Sequence, residues 1–278
     1  MERKDRGIPS AARRFQRFAR RAAVIAALAI ILPVLGFGGH YSYQVIRTES
    51  ESGVLAPEET LIESFYLVAH TSDHGDPAFK YPAQKWGKTV PVYFHPSMPA
   101  WHRRMSERQI EILSRISGIH FQLTDTQDAD HGLSFFYAED GSSVTQMARD
   151  FKIDADRLRL ATCFATYKAG DDRTIAWGIV VFRRPPEERR TLACIVEETV
   201  QVLGLEADRA TYFPTVFTND QARPAALSLN DMILLRALYD PAIKSGMTLE
   251  QTRTLIPGII RRLVTGVKAR GEQALYQN

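Results

Sequence analysis

The sequence predicts an α+β domain, a mixed sheet with packed helices, behind one N-terminal transmembrane helix. Three observations lead to this prediction. Strand-like and helix-like patterns alternate from residue 86 onwards, and a charge-free apolar segment follows a strongly basic N-terminus. The length of 278 residues, with 45% hydrophobic side chains, suffices for one large globular domain or two small ones.

The N-terminal segment predicts the membrane topology. Residues 1–21 carry eight Lys or Arg against two acidic residues, and residues 22–40 carry neither kind. A helix that crosses a bilayer needs about 20 apolar residues, and its basic flank stays in the cytoplasm. We therefore predict a basic cytoplasmic tail at 1–21, a signal anchor at 22–40, a linker at 41–57 and an extracytoplasmic domain at 58–278. The alternative is a cleaved signal peptide, which would release the domain as a secreted or periplasmic protein.

The charge distribution excludes one class of partner. Outside residues 1–21 the chain has 27 basic and 30 acidic side chains, so its folded part is slightly acidic. Nucleic-acid binding needs a basic patch on the folded part. We therefore expect no nucleic acid among the partners.

Apolar periodicity places the remaining elements in a defined order. Five strands are predicted at 88–95, 119–125, 132–139, 159–168 and 174–182. Helices are predicted at 58–70, 106–118, 191–204, 228–240 and from 248 onwards, with a helical insertion within 141–158.

Start and stop signals bound several of these helices. Capping boxes are predicted at Ser106 and Thr248, each with Gln three residues later, and Ser228 is predicted to cap the helix after it. Gly118 is predicted to end the helix that begins at Ser106.

The stretch CIVEETVQVLGL, residues 194–205, carries the most specific pattern. Histidine in place of Glu197 and Gln201 would make it the His-Glu-x-x-His helix of a zinc metalloprotease. The order of strand, helix, four strands, this helix, a loop and a C-terminal helix resembles that of metzincin-type zincins over roughly residues 83–242. KWGKTVPVYF resembles the first strand of the matrixins, and LSLNDMILLRALYDP resembles their last helix.

A closer resemblance is to a bacterial family of unknown function, DUF 2927, whose members look like exported, zincin-like proteins. The family's helix reads Cys-(Ile/Val)-x-Glu-Glu-x-x-Gln-x-Leu-Gly-Leu before an acidic residue, which here runs from Cys194 to Asp208. VFTND and LYDPAIKSGM also resemble that family. The resemblance implies a zincin-like domain at 58–278 with a degenerate metalloprotease helix, in the periplasm and anchored in a bacterial inner membrane through residues 22–40. It implies no activity.

The metal-binding positions of a zincin are altered in this helix. Glu197 stands at the first ligand position, Gln201 at the second and Glu198 at the general base, while the third metzincin position falls on Ala207. A glutamine amide is a weak ligand for zinc. The histidines lie elsewhere, at His40, His70, His74, His95, His102, His120 and His131. We therefore expect no metal and no other cofactor, and we expect His95 and His120, beside predicted strands, to be structural.

Oxygen donors nearby in the sequence leave a second metal chemistry open. Asp208, Asn219 and Asp220 together with the helix carboxylates could hold a hard cation such as calcium.

Two classes of function follow from the altered helix. The first is a non-catalytic pseudopeptidase that binds a peptide or an envelope protein in its cleft. Residues 134–139 are most simply a core strand, but the metzincin resemblance implies that a peptide could add there. The alternative is a peptidase or other hydrolase that uses Glu198, with Glu197, and has no typical zinc site. Glu197, Glu198 and Gln201 are the candidate cleft residues of both hypotheses.

The chain has two cysteines, Cys163 and Cys194. In an exported domain such a pair can form a disulfide. The alternative is a pair of small buried thiols.

Overall fold

A computed structural model describes residues 44–45, 47–72, 80–128, 130–139, 141–151, 161–183, 187–218 and 223–277. The predicted tail and anchor at 1–40 lie outside these ranges, as do Asn219 and Asp220. Residues Thr48–Asn278 form one compact unit. Within the ranges above, no helix is both long enough and apolar enough to cross a membrane.

Six strands form one mixed sheet. They are β1 (Lys85–Trp86), β2 (Thr89–Phe94), β3 (His120–Thr124), β4 (Gly132–Tyr137), β5 (Cys163–Ala169) and β6 (Thr174–Phe182). The order across the sheet is β1-β6-β4-β2-β3, and these neighbours are parallel. Strand β5 is antiparallel to β6.

Six α-helices of the described part of the chain precede, separate and follow these strands. They are α1 (Glu58–His70), α2 (Ala100–Ser117), α3 (Gly141–Phe151), α4 (Glu188–Gln201), α5 (Leu229–Leu238) and α6 (Leu249–Arg270), and a 3₁₀ helix follows at Gly271–Leu275. The predicted class, a mixed α+β domain, is confirmed. Residues 47–51, in the segment interpreted as a linker, are helical.

The main core lies between one face of the sheet and helices α2 and α4. On β2, Val90, Val92 and Phe94 are buried while Thr89 and Pro91 are exposed, which is the alternation expected of a strand with one covered face. Helix α2 packs against α4 on the covered side. A smaller apolar cluster on the opposite face, with Phe136 and Trp177, packs against α3 and receives side chains that include Phe151.

The chain after α4 is fixed by a close approach that only glycine allows. Gly204 has a φ of 104°, and a Cβ there would lie 2.0 Å from the carbonyl oxygen of Gln84. The Trp86 indole donates to the carbonyl of Val202 at 2.9 Å, and the Tyr239 hydroxyl donates to that of Leu203 at 3.0 Å. These contacts anchor the end of α4 to β1 and to the end of α5.

The predicted capping box at Ser106 is wrong. Helix α2 begins at Ala100, after Pro99, so Ser106 lies inside it and is fully buried. The predicted end is confirmed, because Gly118 adopts a left-handed conformation and its N–H bonds to the carbonyl of Ser114. The capping boxes observed at Ser228 and Thr248 confirm those two helix starts.

The prediction that residues 134–139 are a core strand is confirmed for residues 134–137, but this strand has no open edge to which a peptide could add. Strand β4 pairs with β6 on one side and with β2 on the other, so its backbone groups are already hydrogen-bonded to neighbouring strands. Within the described sheet, an added strand has access to outer strands such as β3 instead.

Candidate functional site

Helix α4 positions the candidate residues. Its side chains from Ala193 to Val200 are all buried, because the helix packs on β5, β6 and α2 at once. The two acidic residues share that burial, since Glu197 is 3% exposed and Glu198 is 7% exposed. A carboxylate rarely occupies such a position without partners, so its contacts decide its role.

Glu197 forms an ion pair with Arg223. The pair joins Oε1 of Glu197 to Nη1 of Arg223, whose side chain is 26% exposed. The other oxygen, Oε2, is buried and has no hydrogen-bond partner in the described part of the chain. This oxygen could therefore accept a hydrogen bond or bind a cation, and no described residue does either.

Glu198 faces strand β5. Burial raises the pKa of the Glu198 carboxyl group to about 8, and the nearby charge of Asp208 adds to this rise. The backbone N–H of Ala165 donates to the same carboxyl group and lowers its pKa, but by less. The carboxyl group is therefore protonated over much of the neutral range. Its contact with Ala165 ties the middle of α4 to β5.

Gln201 contacts the acidic residue that follows the helix. Its side-chain Nε2 donates to Oδ1 of Asp208 at 2.7 Å. Asp208, which is out of register for a metzincin ligand, thus belongs to the same polar group as Gln201 and Glu198. The three predicted site residues lie along one stretch of α4, and each is held by a different protein partner: Arg223, Ala165 or Asp208.

Cys163 and Cys194 are joined by a disulfide, with Cα atoms 5.9 Å apart. The bridge connects the first residue of β5 to α4. Cys194 lies three and four residues before Glu197 and Glu198, so sulfur and carboxylates share a helix face. The disulfide therefore lies directly beside the acidic pair.

A second acidic residue close to the helix was not predicted. Glu206 accepts from Ser72 Oγ at 2.7 Å and from the Tyr167 hydroxyl at 3.4 Å. Burial, together with the charge of Glu206, raises the pKa of Tyr167 well above its usual value. The pair joins β5 to the chain after α4.

The irregular chain between α4 and α5 is organised by Asp231. This fully buried residue accepts four hydrogen bonds, from the hydroxyls of Tyr212 and Thr215 and from the backbone N–H groups of Val216 and Ser228. We call this set the Asp231 network. It is complete in the sense that both carboxylate oxygens have two donors each.

The residues at the zinc-ligand positions do not fit a zinc ion as they stand. Glu197, Glu198 and Cys163 each place one ligand atom within 4.8 Å of the others. However, Cys163 is part of a disulfide and cannot supply a thiolate. Glu197 is paired with Arg223 through Oε1, so only its Oε2 is open to a metal.

Three of the described histidines have contacts or positions outside this group. His70 is buried, and its ring nitrogens contact the Tyr81 carbonyl at 2.7 Å and the Thr252 hydroxyl at 2.8 Å. The ring of His95 contacts Ser97 Oγ at 2.7 Å. His120 is exposed on β3. None of the described histidines belongs to the group of ligand atoms that Cys163, Glu197 and Glu198 form. The ring of His102, whose nitrogens are buried, packs against the rings of Tyr137 and Phe182.

Comparison with known families decides the assignment. A family model described as a protein of unknown function (DUF2927) matches residues 58–258, which is more than half of the chain. The chain belongs to the DUF2927 family. A search of curated proteins finds no match to it.

The DUF2927 match encloses the whole candidate site. It begins at the first residue of α1 and ends inside α6, so it contains the disulfide, the acidic pair and the Asp231 network. The family resemblance inferred from the helix motif is thereby confirmed. The match itself assigns no chemistry to these residues.

Like Glu206, Arg223 is a residue of the site that sequence reasoning missed. It follows Glu197 by 26 positions, in a stretch without apolar periodicity. Burial of Glu197 alone, predicted by the apolar residues around it on α4, would have signalled that a cation must lie nearby. Nothing in the spacing names which arginine it is.

Proposed function

We propose that this protein is a non-catalytic binding module with a zincin-like fold, anchored in the inner membrane and exposed to the periplasm. The observation that carries the proposal is that every candidate catalytic side chain is held by the protein itself. Glu197 pairs with Arg223, Glu198 receives the Ala165 N–H, and Gln201 binds Asp208.

The burial of the acidic pair supports the same conclusion. A general base must reach within hydrogen-bond distance of a substrate proton. Glu198 is 7% exposed, and it carries a proton over much of the neutral range because of its raised pKa. A protonated, enclosed carboxyl group is a poor base for activating water.

The element order supports the zincin-like fold. From β2 to α5 the chain runs strand, helix, four strands, helix, irregular loop and helix, with α3 inserted between β4 and β5. This is the order that the sequence shares with metzincins. Gly204, required by its approach to Gln84, occupies the position of the glycine in the metzincin helix motif.

The disulfide supports placement outside the cytoplasm. Disulfides persist in oxidising compartments such as the bacterial periplasm and are rare in the cytosol. The Cys163–Cys194 bridge fits the topology in which residues 22–40 anchor the chain and the domain lies on the far side.

The ligand we propose is an extended peptide segment of an envelope protein that pairs with the outer edge of β3. Among the described strands, β3 pairs with β2 alone. Leu123 on this strand is 54% exposed, although it lies beside Val92 on the core face. An open strand edge with an exposed apolar side chain is usually covered or charged unless it serves in binding.

A surface substitution tests this edge. Leu123→Asp places a charge on the proposed contact and is expected to abolish complementation of a deletion strain while leaving the thermal midpoint within a few degrees. The matched control is Val54→Asp, because Val54 is 57% exposed and is not part of any strand. Equal behaviour of the two variants would remove β3 as the binding edge.

The alternative function is a hydrolase that uses Glu198 with Glu197. The observation that favours it is the pKa of Glu198 near 8, since proton-transfer groups work best when their pKa lies close to the ambient pH. The variant Glu198→Gln separates the two functions, because it keeps the size of the side chain and cannot exchange a proton.

We expect Glu198→Gln to complement the deletion strain as well as the wild type does. A hydrolase would instead lose activity by a factor on the order of 100 or more. The folded state of the variant is checked by circular dichroism. A folded Glu198→Gln protein that fails to complement would reverse the choice between binding module and enzyme.

A further inference from the structure

The sulfur of Cys163, on β5, lies beside the two carboxylates of α4. Cys163 Sγ and one carboxylate oxygen each of Glu197 and Glu198 lie within 4.8 Å of one another. Two elements hold them there, because Cys163 opens β5 and the acids lie on α4, which the Ala165 contact ties to β5. The arrangement is therefore part of the folded core.

Glu197 shows that this arrangement is incomplete. Glu197 is 3% exposed, and its buried Oε2 has no hydrogen-bond partner in the described part of the chain. Its Oε1 is held by Arg223, so the free oxygen belongs to a carboxylate whose position is already fixed. A buried oxygen of this kind costs free energy unless a donor or a cation reaches it.

We propose that reduction of the Cys163–Cys194 disulfide creates a zinc site, with the Cys163 thiolate and the carboxylates of Glu197 and Glu198 as its protein ligands. The proposal goes beyond the binding function above and does not depend on it. It differs from a zincin site in its ligands, since it uses sulfur from β5 and neither Gln201 nor any histidine.

The state of the sulfur explains why the site depends on reduction. A sulfur atom within a disulfide carries no charge and is a poor ligand, whereas a thiolate is a strong ligand for zinc. Reduction by a dithiol transfers two electrons and two protons, breaks the S–S bond, and leaves two protein thiols and an oxidised, cyclic reductant. As zinc binds, the Cys163 thiol loses its proton to solvent, and so does the Glu198 carboxyl group, which is protonated near neutral pH.

The distances require only a small contraction. Zinc binds thiolate sulfur at about 2.3 Å and carboxylate oxygen at about 2.0–2.2 Å, so donors on one ion lie roughly 3.5 Å apart. The three donors, within 4.8 Å of one another, must approach by about 1 Å. Loss of the covalent link to Cys194 frees the Cys163 side chain to make that movement. Three protein ligands leave a fourth position for water or for Asp208.

The donor set selects among metals. A thiolate with two carboxylates favours zinc and cobalt over magnesium and calcium, which prefer oxygen ligands alone. Cobalt is the useful probe, because thiolate-bound cobalt(II) shows a sulfur-to-metal charge-transfer absorption. Cys163 is partly exposed, so a reductant in solution can reach the bridge.

The experiment measures metal binding by the full-length chain in detergent, oxidised and after reduction with a phosphine. In that reaction the phosphine becomes a phosphine oxide, and water supplies its oxygen and the two thiol protons. We expect about one zinc per chain after reduction and less than about a tenth as much before it, with the cobalt charge-transfer band in the reduced form only.

Two cysteine variants form the matched pair, since both remove the disulfide. Cys194→Ser leaves the Cys163 thiol free and is expected to bind zinc without any reductant. Cys163→Ser leaves only the Cys194 thiol and is expected to bind at least about tenfold more weakly. Glu197→Gln, combined with Cys194→Ser, is expected to weaken binding by a similar factor.

The outcomes separate cleanly. A reduced wild type that keeps its circular dichroism spectrum but shows no charge-transfer band overturns the proposal. Equal zinc affinity of Cys194→Ser and Cys163→Ser does the same, because it makes the identity of the sulfur irrelevant. A reduced protein that unfolds also overturns it, since the site needs β5 and α4 in place.

Discussion

Two buried acidic sites lie on successive helices of this protein, and they are built differently. Asp231, at the start of α5, receives four hydrogen bonds within the Asp231 network and caps its helix. Glu197 and Glu198, in the middle of α4, have fewer partners, and Glu197 Oε2 has none among the described residues. Burial raises the pKa of both Asp231 and Glu198. Hydrogen bonds from four groups counteract this rise at Asp231, whereas only one group does so at Glu198.

The difference separates carboxylates that stabilise the fold from carboxylates whose hydrogen bonding is incomplete. A completed network lowers the free energy of the folded state and holds its loop in one conformation. An incomplete one is a weak source of stability, because a buried carboxylate with an unused oxygen carries a desolvation penalty. The acidic pair therefore contributes little to stability, and the proposed redox-dependent zinc site would give it a different role.

The largest expected effect tests the Asp231 network. Asp231→Ala removes the acceptor for four buried donors and is expected to lower the free energy of unfolding by about 4 kcal/mol. The matched control is Asp128→Ala, because Asp128 also accepts two backbone N–H bonds but has a side chain that is 58% exposed. Its loss should stay below about 1 kcal/mol. Urea unfolding followed by circular dichroism measures the unfolding free energy of both variants. Similar losses would mean that the Asp231 network adds no more stability than the exposed contacts of Asp128.

The fold was predictable where local chemistry decides it. The cap at Ser228 and the glycine stop at Gly118 depend on a few neighbouring residues, and both predictions are confirmed. The cap at Ser106 failed because a valid capping pattern also occurs inside a longer helix, whose true start at Ala100 has no side-chain cap. Strand β1, only two residues long, has no periodicity to read.

The site was predictable only along the helix. Glu197, Glu198 and Gln201 follow from spacing on α4, but their partners come from other parts of the chain. Asp208 was close in sequence and was named. Arg223 was not, because long-range pairing of a buried charge leaves no periodic trace in the sequence.

An intermediate effect tests the ion pair on α4. Arg223→Met leaves the Glu197 carboxylate buried without its cation and is expected to cost about 2–3 kcal/mol of unfolding free energy. Adding Glu197→Gln removes that charge, so the double variant should recover at least about 1 kcal/mol relative to Arg223→Met alone. The single Glu197→Gln variant completes the cycle. Strictly additive losses would mean that the two groups do not interact in solution, and the pair would then resemble an exposed contact.

The third expected effect is a change with pH, and it isolates Glu198. The pKa of this carboxyl group is about 8 in the folded protein against 4.5 for an ordinary glutamate, so between these values the folded state holds a proton that the unfolded state has lost. The stabilisation it contributes is fully present below pH 4.5 and is lost as the pH rises through 8, with a slope of at most about 1.4 kcal/mol per pH unit. Glu198→Gln cannot titrate, so its unfolding free energy should match that of the wild type near pH 5 and exceed it near pH 8.

The control for this measurement is Glu250→Gln. Glu250 is fully exposed and its pKa is lowered, chiefly by a backbone N–H, so its contribution is lost only as the pH falls into the acid range. Its variant and the wild type should therefore run parallel between pH 5 and 8. If Glu198→Gln runs parallel to the wild type there as well, Glu198 is ionised in the folded state. The acidic pair would then need a compensating cation, and the contrast with Asp231 would rest on Glu197 alone.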